Sequence, residues 1–482
     1  MKKTAAWKVE SSKLYRIISE LEKSDDIVMM DLGTEETRRL FRVIFCSGLV
    51  DMQTASLTLL PDLDKLGKWL DKRGGEEAKE ESTWTSGMLG SKLRLESEEG
   101  ENTLYTALFS GGVIVIEAET GLLFQFDMSN IPGRQPEESV MELSLKGPRD
   151  GFVERLGVNI ALIRHRLRSP KLRCEIWQIG EESRTEVAVM YMSGVASQSL
   201  IEEARRRLKA IRIDVLHGAS QLEDLLSDRP RSLFPLVEYI GRPDYTVKAL
   251  IKGKIVFLPD GSPTAIIAPA NLLLLIKSPE DLHLPYYFVS LERLLRIVGF
   301  VIALCMPGFW VSLSAYNTDQ IPYSLLATVS ISRIGLPLSA TMEMFLMLTM
   351  FELFREAGVR LPRAVGQTVT VVGGLIVGDA AIRAGLTSPT MLVAAAVTAV
   401  GTFTLVNQSL VGTVSLLRYF VLILSSLFGI FGFFVSVFAI LIYICSLESF
   451  GMPYMAPIGP LRWRELIPAL VKQPWKRKDK GD

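Results

Sequence analysis

The chain has 482 residues, 48% of them apolar, and its 53 Lys and Arg balance its 53 Asp and Glu. That length suggests about three domains, and the neutral balance excludes an extended basic surface of the kind that binds DNA or RNA. The charge is unevenly placed: from Ile297 to Leu447 there is no lysine, and only six arginines and five acids occur in the whole stretch. This excludes one ordinary soluble globule and predicts a mixed α/β cytoplasmic head followed by an all-α polytopic membrane domain.

The N-terminus, MKKTAAWKVESSKLYR, has two lysines but no apolar core behind them, so no signal peptide is expected and the head is expected in the cytoplasm. Residues 28–50 read as strand, charged turn, strand. Asp62–Lys72 is a short helix with Leu63, Leu66 and Leu70 at helical spacing. The run 71–87 is dense in charge and glycine and reads as a loop or boundary. Three strand-like runs (LYTALF, VIVIEA, LLFQFDM) between Leu104 and Met128 suggest a meander. A helix is expected over Asp150–Ser169, capped by Asp150 and ended by Pro170. Two strands (LRCEIWQIG, EVAVMYMSG) follow it. The next helix is expected to open on the capping box Ser199-Leu200-Ile201-Glu202, with Glu202–Arg206 and Glu203–Arg207 pairs on its wet side. Lys254–Leu258 and Thr264–Ala268 form a hairpin about Pro259-Asp260-Gly261. The expected division is an N-terminal α/β subdomain 1–90 with a charged loop 71–90, a second α/β subdomain 91–290, a membrane domain 291–450 and a basic tail 451–482.

Chemistry-bearing patterns are sparse in this head. Cys46, Cys174, Cys305 and Cys445 have no CxxC or Cys/His spacing and read as buried free thiols. His165, His217 and His283 share no ligand spacing, so neither a metal nor a cofactor is expected. No phosphate-loop, HExxH or GxSxG pattern occurs, and no enzyme is expected. The basic run Arg164, Arg166, Arg168, Lys171, Arg173 reads as a solvated helix end.

Crossing a bilayer takes ~20 mostly apolar residues. Five apolar segments qualify or nearly do: Ile297–Thr318, Ile334–Leu353, the short glycine-rich Ala364–Gly378, Ala384–Leu417 and Tyr419–Leu447. A cytoplasmic head and a basic tail (Lys472, Lys476, Arg477, Lys478, Lys480) require an even number of crossings, four or six. Either 364–378 is re-entrant, the preferred reading, or the last run folds back about Gly429–Gly432. Charged groups at membrane depth are costly and normally face a bundle interior, a partner or water. Glu343 is the deepest, and Arg333 and Asp379 lie nearer segment ends; these three are the ion-pathway candidates. For Glu343 a structural hydrogen bond to a neighbouring helix is the preferred reading and an ion or proton pathway the alternative. The small-residue stretch AAAVTAVGT (394–402) suits either close helix packing or a pore wall.

The phrases IPGRQPEES (131–139), KGPRDGFVERLGVNIALIRHRL (146–167), GRPDYTVKALIKGKIVFLPDGSP (241–263), ELFREAGVRLPRAVGQTV (352–369) and SFGMPYMAPIGP (449–460) recur in one order and spacing in a known family. On them the chain resembles the A subunits of the GerA-type spore-germination receptors, including the stage V sporulation protein AF-like paralogues. The resemblance implies a multi-pass protein of the spore inner membrane, with head and tail cytoplasmic. It implies homo-oligomerisation into a ring that releases ions in response to nutrients. It also implies a transporter-like B subunit, a lipoprotein C subunit or other germination proteins as partners, and the lipid bilayer as solvent. A non-conducting scaffold that relays a partner's signal is the alternative. The motifs nominate Arg134, Arg149, Arg242, Asp244, Arg355, Glu356 and Arg360 as structural or interface residues. Where such A subunits usually carry Glu-Arg-Pro-Asp, this chain has Gly241-Arg242-Pro243-Asp244, so the contact of that carboxylate is not carried over.

Overall fold

A computed structural model describes residues 12–34, 37, 39–80, 90–93, 98–130, 146–360 and 378–474. The chain divides into two compact units, one built from residues 1–230 and 237–269, the other from 231–236 and 270–482.

The first unit holds two antiparallel five-stranded sheets. In the first, β1 (Ile27–Gly33), β2 (Leu40–Cys46), β3 (Gly90–Leu93), β4 (Gly112–Glu117) and β5 (Leu123–Asp127) lie in the order β1-β2-β4-β5-β3. Helix α2 (Met52–Glu80) packs Leu59, Leu63, Leu66 and Leu70 on one face, against Phe41, Val43, Val113, Val115 and Phe124. Helices α1 (Ser12–Leu21) and α3 (Glu98–Leu108) cover the other face through Leu14, Ile17, Leu104 and Leu108, against Ile44, Ile114 and Ile116. Val113-Ile114-Val115-Ile116 therefore serves both faces by strand alternation, which is why β4 reads as unbroken apolar sequence.

Three expectations change here. LYTAL belongs to α3 and not to a strand, because a five-residue apolar run fits either period and Leu104 and Leu108 bury at i, i+4. The short helix at 62–72 is the middle of the 29-residue α2, which runs through Pro61 and takes in 71–80 of the expected loop. Because β3 pairs with β5, the first sheet also straddles the division expected at residue 90.

The second sheet contains β6 (Leu172–Ile179), β7 (Thr185–Met192), β8 (Glu238–Ile240), β9 (Ile255–Pro259) and β10 (Ala265–Ala268), in the order β6-β7-β9-β10-β8. The expected β9–β10 hairpin is present, with Ile266 opposite Phe257. Helix α4 is shorter than expected, Leu156–Arg166. Its cap is long-range: the Leu156 N–H donates to Asp260 Oδ1 at 2.9 Å, from the hairpin turn, while Asp150 instead pairs with Arg166. Helix α5 (Gln198–Ala210) is capped by Ser197, which accepts from the Leu200 N–H, so the expected box is displaced by two residues. Glu203 takes both Arg206 and Arg207, each at 2.7 Å, and Glu202 accepts from Gln198. Helices α6 (Ala219–Leu226) and α7 (Pro243–Ile251) complete this lobe.

Arg164 is not part of a solvated helix end. It is completely buried between the two sheets, its guanidinium donating to Asp26 Oδ2 at 2.6 Å, Asp26 Oδ1 at 2.7 Å, Ser24 Oγ at 2.8 Å and the Leu172 carbonyl at 2.9 Å. Burial by itself would push the Asp26 carboxyl up, but the Arg164 charge and hydrogen bonds hold it below its ordinary value.

The second unit is helical: α8 (Leu272–Leu275), α9 (Tyr286–Val311), α10 (Tyr323–Ser332), α11 (Ala340–Arg360), α12 (Pro389–Phe403), α13 (Gln408–Cys445) and α14 (Trp463–Leu470). Among the described residues two helical runs, Tyr286–Tyr316 and Gln408–Cys445, are long and apolar enough to cross a membrane. The second is not straight. Gly429 has φ 61° and ψ −140°, and the chain folds back there. Thr413 and Tyr443, ~45 Å apart on a straight helix, both bond to Leu233: Thr413 donates to its carbonyl and its N–H donates to Tyr443 Oη at 3.0 Å. The last run is thus a helical hairpin about Gly429–Gly432, the less favoured of the two sequence readings. Residues 361–377, which include most of the glycine-rich segment proposed as re-entrant, lie outside the described residues. Residues 448–454 are part of this unit, with Glu448–Ser449 paired to Met452–Pro453 and Tyr454 fully buried, so no separate tail begins at 451. Among the thiols, Cys46 and Cys174 are buried, whereas Cys445 is exposed.

Candidate functional site

Two clusters of polar groups in the helical unit lie at two levels of α11. At the first, Glu343 lies in the opening turn of α11 and is fully buried. The Ser388 N–H donates to its Oε2 at 2.9 Å, and Arg333, which ends α10, brings Nε to 3.5 Å from Oε1. Ser388 is also the N-cap of α12, its Oγ accepting from the Met391 N–H, so the carboxylate sits at the positive end of that helix. Glu343 Oε1 has no hydrogen bond, and neither has the buried Thr387 Oγ1 nearby in sequence. The structure therefore joins two of the predicted pathway residues, Glu343 and Arg333. It leaves the third apart: Asp379 pairs with Arg383 at 2.8 Å, with both side chains largely exposed.

The second level was not anticipated. Nine residues along α11, ~14 Å at 1.5 Å per residue, Glu352 accepts from Arg418 Nη2 at 3.2 Å. Arg418 also donates to Ser415 Oγ and Thr402 Oγ1, each at 3.1 Å, and only 4% of its side chain is exposed. In the sequence Arg418 stands between two of the apolar runs, Ala384–Leu417 and Tyr419–Leu447. The loop between α12 and α13 falls at Thr404–Asn407, where Asn407 caps α13 by accepting from the Leu410 N–H. Glu352 stands inside a motif phrase, and its spacing to Arg418 carries no local signal.

Between the levels lies an apolar layer of Val311, Met344, Met347, Leu348, Met391, Ala394, Ala395 and Leu422. The small-residue stretch faces α9: a Cβ on Gly401 would lie 2.9 Å from the Gly299 carbonyl oxygen, so the backbones of α9 and α12 approach closely. At Gly401 the stretch serves helix packing, while Val397 and Val400 are exposed.

The motif residues distribute widely. Arg242 is buried and bonds Asp244 in a two-pronged pair, Nε–Oδ1 3.1 Å and Nη2–Oδ2 2.8 Å, at the start of α7. The Gly241 carbonyl accepts from the Phe152 N–H at 2.9 Å, tying this motif to the LKGPRDGF phrase. Arg355 pairs with Glu352, and Glu356 and Arg149 are exposed. Arg134 lies outside the described residues, as does the side chain of Arg360. Arg296, at the start of the apolar run, bonds Asp281 at 2.9 Å and Glu292 at 3.2 Å.

The sequence profile described as "Bacillus/Clostridium GerA spore germination protein" matches residues 15–481. The chain is 41% identical to spore germination protein XA of Bacillus anthracis over 448 residues, 92% of this chain and 89% of that protein. It is 30% identical to spore germination protein KA of Bacillus subtilis, covering 96% and 85%, and 31% identical to spore germination protein GerLA of Bacillus cereus, covering 95% and 92%. The crystal structure of the N-terminal domain of the A subunit of the Bacillus megaterium spore germinant receptor GerK3 aligns at 25% identity over 56% of this chain and 98% of that one, with a TM-score of 0.39.

Proposed function

This chain belongs to the Bacillus/Clostridium GerA family of spore germination proteins, and from that membership we propose that it is the A-type subunit of a germination complex. In this reading it spans the spore inner membrane several times, with head and tail in the cytoplasm. Copies of it form a ring that opens to monovalent cations when a nutrient is sensed. A transporter-like B subunit and a lipoprotein C subunit are the expected partners.

The observation that carries the channel reading is the pair of charged levels, Arg333–Glu343 and Glu352–Arg418, separated by the apolar layer. Charges buried in an apolar bundle are costly, and they are kept where they pair with one another or line a polar path. In this reading the apolar layer between the two levels is the closed gate. Opening would separate helices at that layer, in which methionines, adaptable and unbranched, are frequent. The test is cation efflux from liposomes holding only the purified full chain. Efflux above that of empty liposomes, altered in rate or ion preference by Glu343→Gln, supports conduction through this level.

A second reading rests on one specific contact. Arg333 neutralises Glu343, which suits a structural clamp in a non-conducting scaffold. On that reading correctly inserted oligomers pass no ions, and Glu343→Gln lowers abundance and leaves any flux of the assembled complex unaltered.

A further inference from the structure

We propose that helix α14 is an interfacial membrane-docking element whose outer face takes anionic phospholipid headgroups. This rests on the reading that the helical unit spans a membrane. The helix is clamped at one edge. Leu466 is buried, and Arg293 Nη1 donates to the Pro468 and Ala469 carbonyls at 3.4 and 3.3 Å. The Lys472 N–H donates to Ser290 Oγ at 3.1 Å, and its ammonium donates to the carbonyls of Asp281, Leu282 and Leu284 at 2.7, 3.1 and 2.9 Å. These contacts fasten α14 to the first turns of α9, the opening of one of the two runs long and apolar enough to cross a membrane.

The other edge of α14 is left open, and its chemistry names the occupant. Trp463 and Ile467, at i and i+4 of the helix, are 64% and 52% exposed, and Val471, the extended residue that ends it, is 48% exposed. Arg464 borders this strip, and Arg462 precedes it. Tyr286 and Tyr287, at the start of α9, are exposed as well. An apolar strip ending in Trp, beside Tyr and Arg at the end of a spanning helix, has the composition of the membrane–water boundary. From Leu461 to the C-terminus there are seven Lys and Arg against three acids. That positive charge complements an anionic leaflet and would repel a basic protein partner.

The experiment uses the full chain in vesicles, with Cys305→Ser and Cys445→Ser removing the accessible thiols. A fluorophore is placed at Ile467→Cys and, in a separate protein, at Phe438→Cys on the exposed face of the second arm of α13. In phosphatidylcholine vesicles with about one third phosphatidylglycerol, the 467 probe should be quenched by nitroxide lipids and shielded from iodide. Quenching should fall at least about threefold in pure phosphatidylcholine, and similarly on Arg462→Gln/Arg464→Gln in the anionic vesicles. Iodide access at 467 in both lipids, or shielding from both quenchers by a protein neighbour, overturns the proposal. So does equal lipid quenching in both compositions. The 438 probe separates the two readings. If it is quenched by lipid while 467 is not, only the docking proposal fails; if it is not, the membrane reading fails and takes this proposal with it.

Discussion

Arg164 and Asp26 illustrate how much one buried pair decides. Removing one partner strands the other charge in the core, at a typical cost of about 3–5 kcal/mol. Arg164→Met should therefore sharply lower the thermal stability of the head, whereas Arg164→Met with Asp26→Leu should recover much of it. The pH dependence gives a sign. In the native protein the Asp26 carboxyl is held low, so its contribution is present above the unfolded value near 3.9 and is lost only as pH falls through the folded one. In Arg164→Met the same carboxyl is buried without its cation and its folded value rises. That variant should gain stability as pH falls toward about 5, and a melting-temperature series against pH distinguishes the two slopes.

Glu223 on α6 has the opposite sign from native Asp26. Burial, with the Asp224 charge beside it, pushes it up to about 7. A raised carboxyl contributes stability that is complete below the unfolded value near 4.3 and is lost as pH rises through 7. Glu223→Gln should leave the melting temperature unchanged near pH 4 and raise it at pH 8 relative to the native chain.

At the scale of elements, the α13 hairpin depends on two glycines. A Cβ at Gly429, whose φ is positive, would meet Tyr316 Cβ at 3.0 Å, and one at Gly432 would run into the Leu424 carbonyl. Gly412, in the same helix, has open space around it. Gly432→Leu should reduce membrane abundance and detergent stability severely, while Gly412→Ala should match or slightly exceed the native chain, since alanine is the better helix former. Equal tolerance at both positions would argue for a straight helix. The Arg418 cluster belongs to this scale too. Arg418→Leu leaves Glu352 with Arg355 and Ser415 as partners, so its cost in stability should be smaller than that of Glu352→Leu, which strands Arg418 beside only Ser415 and Thr402.

For the whole molecule, on the proposed topology, with head and tail in the cytoplasm and α9 as the first crossing, Gln320, in the α9–α10 connection, is expected on the far side of the membrane and Arg229, in the head, on the cytoplasmic side. A cysteine at 320 should react with an impermeant reagent in intact protoplasts, and one at 229 only after permeabilisation. Labelling of 229 but not of 320 from outside would invert the topology, and labelling of both would show that α9 does not cross the membrane.

Composition and period alone established the two-part plan, the α/β head, most of its strands, the β9–β10 hairpin and the apolar, helical character of the second half. These are local or additive properties: strand alternation, turn residues and the absence of charge over a long stretch can each be read from neighbours in the chain. Motif order, likewise a property of the chain, identified the family. Only the tertiary structure decided that LYTAL is helical, that Asp260 caps α4, that Arg164 is the buried joint of the two sheets and that Arg418 belongs inside a helix. Each of these depends on partners distant in the chain, 104 residues apart for Asp260 and Leu156 and 138 for Arg164 and Asp26. A charge in sequence carries no mark of whether an opposite charge will arrive beside it, and that pairing decides between a solvated end, a loop and a buried bond.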